Sequence, residues 1–359
     1  METTNRNFLR RQLSAFAGFA LAALMSSAAF ATPVTVNGDL SNAGTSFSIA
    51  DLQGLPSTTE TLTINGETHS YTGVQLWTVL GGNTAGASNI VTQGGGNNPI
   101  LRNFVVASGS GGERSIVSAG EINPLFGGTT DPTFGTPGKP ALVVYQKDGV
   151  TLATPQLIVG QDGTGTRNIT DLSALTVGGV DRVTGPGGVS HAFNITDDGH
   201  VLRTIDSVTS LSFLTEASEN VTFQSGANIR NATFTGVSLW DLLTAVDPHL
   251  DNLANSILTA VGSDGFQVVF SLAELNPALG GPDVLLAYGD STGPNGTLGT
   301  AGDFRLVVPG DARGGRFVSN LISIDIHEVP EPATLALLLV GLMAIFALRR
   351  SRTGRRFAA

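Results

Sequence analysis

Two long apolar runs lie near the ends of the chain, and the residues between them follow a different pattern. The first run extends from Leu13 to Met25, and the second covers 16 uncharged residues from Ala333 to Leu348. Between them, apolar residues occur in short segments, such as 103–109 and 139–145, separated by Gly, Asn, Asp and Thr. Such segments are typical of β-strands joined by turns. The pattern predicts an α+β, β-dominant body with a terminal apolar segment on each side.

The N-terminal run has the organisation of an export signal. A basic start precedes the apolar centre, and Ala29-Phe30-Ala31 provides a small-x-small cleavage site. We therefore expect residues 1–31 to be a signal peptide that is cleaved after Ala31. The pair Arg10-Arg11 resembles part of a twin-arginine signal, but its flanking residues favour the general route for unfolded chains.

The C-terminal run has nearly the length that a membrane-spanning helix requires. As a helix, its 16 residues would extend over roughly 24 Å, against a hydrocarbon core of about 30 Å. The arginines that follow it can extend toward the membrane surface, and they favour a cytoplasmic C-terminus. A buried core helix is the alternative, but such a helix is rarely apolar on every face and then abruptly basic. We therefore predict a single transmembrane helix.

The order of features at the C-terminus resembles a known sorting signal. Pro330, Glu331 and Pro332 precede the apolar run, and five arginines lie within the last eleven residues. This arrangement resembles the PEP-CTERM sorting signal of bacterial exosortase substrates. The resemblance implies that residues 329–359 anchor a precursor in the inner membrane until an exosortase cuts near the tripeptide. The expected partners are the export machinery, the exosortase and the membrane, and the expected destination is the cell surface or the extracellular space.

Three blocks of sequence recur in the same order within the body. Residues 109–128 align with 262–281 without a gap, and nine of the twenty positions are identical. The flanking blocks pair 71–80 with 234–243 and 157–172 with 306–321. Three blocks in one order predict a tandem duplication. The predicted boundaries are 32–183 for repeat one, 184–206 for a connector or shared edge and 207–328 for repeat two.

Each repeat is predicted to contain the same local elements. A strand leads to a Thr-Gly-Val turn, and a short amphipathic helix follows from about Val74 or Val237. Leu76, Trp77 and Leu80 have helical spacing, so we predict that they belong to the core rather than to a ligand platform.

Charge and composition exclude several classes of function. The predicted mature body, 32–330, retains 11 of the 19 basic and 27 of the 29 acidic residues, which gives a net charge of −16. A surface of this charge repels nucleic acid and anionic polysaccharide, although extracellular polysaccharide in general remains a candidate partner. The chain has no cysteine, so thiolate ligands, cysteine nucleophiles and iron–sulfur clusters are excluded.

No catalytic or metal-ligating residues are predicted from the sequence. The five histidines have no helical pairing, and no Ser-His-Asp grouping occurs at suggestive positions. Glu121 and Glu274 occupy the same position in the two repeats, which suggests a carboxylate pair. Each glutamate also follows a serine by three residues, as in a capping box. We interpret both as parts of helix caps.

Four segments of the second repeat resemble the molybdopterin-binding domain of the sulfite oxidase type. They are Phe-Thr-Gly-Val-x-Leu-Trp at 234–240, Asp-Gly-Phe at 264–266, "LLAYGD" at 285–290 and "FRLVVPGDARGGRFVSNLISIDI" at 304–326. In that family, a Pro-Gly loop ending in arginine helps to hold the pterin phosphate. The resemblance therefore implies a cofactor-binding set, which consists of Gly310, Arg313, Gly314, Gly315 and Arg316.

The chain also departs from that family. It lacks the cysteine that ligates molybdenum, and Ser319-Asn320 replace the expected lysine. Arg316 has an alternative role, which is a surface ion pair with Asp311.

Two hypotheses for the function follow from these matches and departures. The first is a non-catalytic binding or structural protein of the envelope or extracellular matrix, with degenerate domains and no cofactor. The second is an extracytoplasmic molybdopterin-dependent oxidoreductase without the cysteine ligand.

Overall fold

The computed structural model describes residues 32–134, 139–247 and 250–330. The predicted signal peptide, the predicted transmembrane helix, Glu331 and Pro332 lie outside the described residues. Within the described ranges, no helix is both long and apolar enough to cross a membrane.

Strands dominate the described part of the chain, and they fall into two sets. The first half contains β1 Val34–Gly38, β2 Thr45–Phe47, β3 Thr58–Ile64, β4 Glu67–Gln75, β5 Asn103–Gly109, β6 Arg114–Ser118, β7 Ala141–Lys147, β8 Val150–Val159 and β9 Leu172–Gly179. The second half contains β10 Phe193–Asp197, β11 His200–Ile205, β12 Glu216–Ser225, β13 Asn228–Ser238, β14 Ser256–Gly262, β15 Gln267–Ser271, β16 Leu285–Asp290, β17 Arg305–Val307 and β18 Leu321–Glu328. The α-helices are short: α1 Ile49–Gln53, α2 Leu76–Val79, α3 Ala119–Ile122 and α4 Leu239–Val246.

The two halves have the same sheet topology. In the first half, β2-β1-β9-β5-β6 form a five-stranded sheet and β3-β4-β7-β8 form a four-stranded sheet. In the second half, the orders are β11-β10-β18-β14-β15 and β12-β13-β16-β17. Each strand of the first half therefore corresponds to the strand nine places later. The pairs β1–β9 and β10–β18 are parallel, and the other strand pairs are antiparallel. The prediction of a β-dominant body is confirmed, and the body consists of two similar sheet pairs.

The second sheet pair begins earlier than the recurring sequence suggests. The segment 184–206, predicted as a connector, contains β10 and β11, and β10 pairs in parallel with β18. These strands complete the second five-stranded sheet. Their pairing depends on backbone hydrogen bonds and alternating burial rather than on residue identity, so sequence comparison between the repeats did not reveal it.

The Thr-Gly-Val segments lie inside β4 and β13 rather than at turns. The strand register shifts between Thr72 and Gly73, and again between Thr235 and Gly236. A Cβ on Gly73 would lie 2.4 Å from the carbonyl oxygen of Val143 on the neighbouring strand. A Cβ on Gly236 would lie 2.1 Å from the carbonyl oxygen of Leu286. Glycine is therefore required because two backbones approach closely at this irregularity. The helices begin two residues later than predicted, at Leu76 and Leu239.

The apolar residues at helical spacing belong to the core, as predicted. Leu76 and Leu80 are fully buried and Trp77 is nearly so, within the core of the first sheet pair. A separate apolar cluster joins the two halves. It consists of Phe104, Val106 and Ile116 from β5 and β6, together with Ile257 and Val269 from β14 and β15. The five-stranded sheets therefore pack against each other through corresponding strands.

The close approach at Gly236 leads to a stability prediction. Gly236→Ala should lower the free energy of unfolding by about 1–3 kcal/mol, because the new methyl group must displace the backbone of β16. Urea unfolding followed by circular dichroism measures the change. Gly163→Ala is the matched control, because a Cβ at Gly163 meets no atom within 4 Å. Equal midpoints for the two variants would contradict the assigned close approach.

Candidate functional site at the junction of the halves

Arg316 occupies the centre of a buried charged cluster. It closes a short 3₁₀ turn, Gly314–Arg316, and its side chain is 2 % exposed. Its Nε and Nη2 donate to the two carboxylate oxygens of Asp311, at 2.8 and 2.6 Å. Its Nη1 donates to Glu274 at 3.3 Å. The pair with Asp311 that the sequence suggested is therefore present, but it is buried and bidentate rather than at the surface.

Arg167, the counterpart of Arg316 in the first half, makes different contacts. Its Nη1 donates to Glu121 at 2.7 Å and to Ser271 Oγ of the second half at 3.4 Å. Asp162 corresponds to Asp311, but its carboxylate accepts from the backbone amide of Arg167 and from the hydroxyl of Thr164. Nε and Nη2 of Arg167 are buried and have no partner among the described residues. The two arginines therefore differ in how far their donors are satisfied.

Two serines connect the halves across the junction. Ser118 Oγ accepts from the backbone amide of Glu121 and donates to the carboxyl group of Glu274, with distances of 3.1 and 3.0 Å to its oxygens. Ser271 Oγ accepts from the backbone amide of Glu274. Each serine therefore caps its own short helical turn and contacts a charged side chain of the other half.

The predicted capping boxes are only half formed. The serine-to-amide bonds are present, but Glu121 bonds to Arg167 and Glu274 bonds to Arg316. The glutamate side chains therefore do not return to the backbone of their own caps. They meet across the junction as a carboxyl pair, which is the alternative to the interpretation as caps.

The environment of this pair favours a retained proton. Burial raises the pKa of Glu274 well above its usual range, and the neighbouring carboxyl group of Glu121 raises it further by repulsion and hydrogen bonding. Arg316 opposes the shift but does not cancel it. Glu121 Oε2 is buried and accepts no N–H or O–H bond from other described residues. A proton that Glu274 retains and donates to Glu121 Oε2 accounts for both observations.

Burial also affects the adjacent ion pair. It raises the pKa of Asp311, although Arg316 pulls the pKa in the opposite direction. For Arg316, burial alone would lower the pKa, but Asp311, Glu274 and Glu121 together raise it. Arg316 is therefore held in its charged form.

Glycines of the first half make space for the arginine of the second. A Cβ on Gly120 would lie 2.6 Å from Cδ of Arg316, and a Cβ on Gly127 would lie 2.5 Å from its Nη2. Gly120 belongs to α3, and Gly127 follows it in the same recurring block. The side chain of Arg316 thus extends into the first half. It fits there because Gly120 and Gly127 have no side chains.

A cleft of about 430 Å³ opens above the cluster. Its walls combine glycine and proline backbone from both halves with a few polar side chains. The lining residues are Glu121, Gly127, Lys139, Gly160, Gln161, Glu274, Gly280, Gly281, Pro282, Pro309, Gly310, Asp311 and Arg316. Lys139 pairs with Glu60 at 3.2 Å, so its charge is already balanced. The cleft therefore presents mainly carboxyl oxygens and backbone groups to a ligand.

The structure separates the residues that the sequence grouped as a cofactor site. Arg316 and Gly310 line this cleft, whereas Gly314 and Gly315 line a different one together with Asn320. Arg313 is exposed. His327 lies on β18 near Asp325, and His249 is outside the described residues.

These residues do not fit a pterin phosphate well. The guanidinium edge that would hold a phosphate is bonded to Asp311, and two more carboxyl groups face the same cleft. An added anion would meet repulsion rather than a free donor. Within the described ranges, no group of three or more His, Cys, Asp or Glu side chains is arranged to hold a metal ion.

Comparison with known proteins finds one family match, and it lies at the C-terminal end of the chain. Residues 328–352 match the model of the PEP-CTERM protein-sorting motif. The chain carries this signal. It is therefore an exported substrate of an exosortase, with a cell-surface or extracellular fate. No curated protein matches the chain. The motif begins at the last residue of β18, so it continues directly from the folded body.

The carboxyl pair predicts a pH dependence of stability. The folded pKa of Glu274 lies above the unfolded value, so the folded state binds more protons in the window above about pH 4.5. The free energy of unfolding should fall as pH rises through that window, by up to about 1.4 kcal/mol per pH unit for one proton. Glu274→Gln imitates the protonated form and should remove this slope. Chemical unfolding between pH 5 and 8 measures it.

Glu113→Gln is the control for this experiment, because Glu113 is an exposed carboxylate. This variant should follow the wild type at each pH. A Glu274→Gln variant with the same pH slope as the wild type would show that Glu274 does not retain a proton in the folded state.

Proposed function

We propose that the mature protein is a non-catalytic binding or structural component of the cell envelope or extracellular matrix. The observation that carries the proposal is the mutual neutralisation of the charged groups at the junction. Asp311 and Glu274 bond to Arg316, and Glu121 bonds to Arg167. Charged groups that are paired with one another in this way are poor candidates for catalytic groups. The bonds of Ser118 to Glu274 and of Arg167 to Ser271 connect the paired groups across the junction.

Both ends of the precursor serve delivery in this proposal. Residues 1–31 direct export, and the apolar run 333–348 anchors the precursor in the inner membrane until an exosortase removes it. The general secretory route is the one that we favour, because the residues around Arg10-Arg11 fit a twin-arginine signal poorly.

The body arose, in this proposal, by tandem duplication of a domain of the molybdopterin-binding type that has lost its cofactor. The shared strand order of the halves and the nine identical positions in the longest block support duplication. The loss of the cofactor is supported by the missing cysteine and by the pairing of Arg316 with Asp311.

The junction cleft is the candidate binding surface, and a neutral polysaccharide is the ligand class that suits it. Carboxyl oxygens and backbone groups match the hydroxyl groups of sugars, whereas the net charge of −16 opposes anionic polymers. Gln161 offers both a donor and an acceptor at the wall of this cleft.

A second candidate function is an extracytoplasmic molybdopterin-dependent oxidoreductase. One observation favours this oxidoreductase. Nε and Nη2 of Arg167 have no hydrogen-bond partner among the described residues, and Arg167 ends the loop that corresponds to the Arg316 loop. This candidate requires an anionic cofactor close to several carboxyl groups, so we rank it second.

Metal analysis distinguishes the two candidates. Protein purified from a molybdenum-replete host should contain far less than one molybdenum or pterin per chain. Arg316→Ala should lower the free energy of unfolding by about 3–5 kcal/mol, because Asp311 would remain buried without its counter-charge and Glu274 would lose a hydrogen bond. Arg313→Ala is the exposed control and should change stability little. Near-stoichiometric molybdenum in the wild-type protein would reverse the ranking.

Binding to polymers tests the cleft. The mature body should be retained by a neutral glucan and not by an acidic polysaccharide, and Gln161→Ala should weaken retention several-fold by removing a hydrogen-bonding group. Gln146→Ala is the control, because Gln146 lies on β7 outside the cleft lining. Equal retention of both variants would remove the cleft from the proposal.

A further inference from the structure

The chain leaves both halves in the same way. β9 and β18 are corresponding strands, and each is followed by a valine: Val180 after β9 and Val329 after β18. Both valines pack against the apolar cluster between the five-stranded sheets. The amide of Val180 donates to the carbonyl of Arg102 at 3.0 Å, and the amide of Val329 donates to that of Asn255 at 2.9 Å. Val329 is therefore part of the folded body, although it lies within the sorting motif.

A side chain on an edge strand holds each departing segment. Gln267, the first residue of β15, donates to the carbonyl of Asp181 at 3.1 Å and accepts from the amide of Val183 at 2.9 Å. Arg114 is the first residue of β6 and corresponds to Gln267. Its Nη2 donates to the carbonyls of Val329 and Pro330, at 3.2 Å each. Each half therefore holds the segment that leaves the other half.

The two equivalent contacts act on segments with different fates. Residues 181–183 lead to the second half, whereas residues 328–330 are the start of the motif that an exosortase processes. We call the contact of Arg114 with the carbonyls of Val329 and Pro330 the C-terminal clamp. It uses a charged donor, and such hydrogen bonds are stronger than those between neutral groups.

The clamp affects the peptide bonds of the motif unequally. Cleavage of the Pro330–Glu331 bond requires a nucleophile to attack the carbonyl of Pro330, which already accepts from Arg114. The clamp would have to open before that carbonyl could enter a processing site. The clamp therefore adds a cost to cleavage at the Pro330–Glu331 bond.

We infer that the exosortase cuts on the C-terminal side of Glu331 and that the clamp protects the Pro330–Glu331 bond. In the cut, one amide bond breaks. The acyl group at the new C-terminus of the mature protein is transferred to water or to an acceptor nucleophile. The released tail then begins with a free amino group, which takes up the proton of that nucleophile. The mature protein therefore keeps Val329, Pro330 and Glu331, and the clamp persists after processing.

The C-terminus of the mature protein tests this inference. Full-length precursor is produced in a host that has an exosortase, and mass spectrometry of the C-terminal peptide identifies the last residue. The wild-type peptide should contain Pro330 and Glu331. In Arg114→Ala, chains that end at Pro330 should appear, and hydrogen exchange at the amide of Val329 should accelerate at least tenfold.

Two further variants separate the clamp from general loss of stability. Arg114→Gln introduces the residue that performs the equivalent task in the other half, so it should restore the wild-type terminus. Gln267→Ala releases residues 181–183 but leaves the clamp intact, and its C-terminus should be unchanged. Wild-type protein that ends at Val329 or Pro330 would overturn the inference. The same holds if Arg114→Ala retains both the wild-type terminus and slow exchange at Val329.

Discussion

The buried contact of Arg316 with Asp311 and Glu274 constrains the rest of the structure. Removing Arg316 and Asp311 from water costs several kcal/mol per ion, and only close and complete pairing compensates for it. Both halves bury the pairing, because Gly120 and Gly127 of the first half pack against the guanidinium of the second. Ser118 adds a hydrogen bond from the first half to Glu274. Separation of the halves would leave Arg316 with its carboxyl partners, but it would expose the cluster to water and break the bond of Ser118 to Glu274.

The halves share a topology but not the same charge balance, and one residue accounts for much of the difference. Thr164 donates to Asp162 and leaves that carboxylate unable to bond to the side chain of Arg167. The corresponding position in the second half is Arg313, which is exposed and leaves Asp311 available to Arg316. Two similar sheet pairs thus differ in their polar contacts while the strand order stays the same, because topology depends on backbone pairing and apolar alternation.

Local patterns predicted the features whose causes are local. Leu76, Trp77 and Leu80 were predicted as core because helical spacing places them on one face. The cap bonds of Ser118 and Ser271 followed from the same kind of local rule. Sequence reasoning considered a pair of Glu121 with Glu274 but favoured helix caps, since the meeting of the two side chains depends on how one half packs against the other. It missed β10 and β11 for a related reason, because their partner β18 lies far along the chain.

The position of β18 has a consequence for the order in which the protein forms. It lies in the middle of its five-stranded sheet, between β10 and β14, and yet it is the last strand of the body along the chain. A chain that emerges from its N-terminus cannot close this sheet until its final strand has arrived. The loop-closure entropy of such long-range pairing also delays folding. On the general export route that we propose, the second half would therefore stay open until residue 328 has crossed the membrane. The chain could then cross in unfolded form up to the start of its sorting motif.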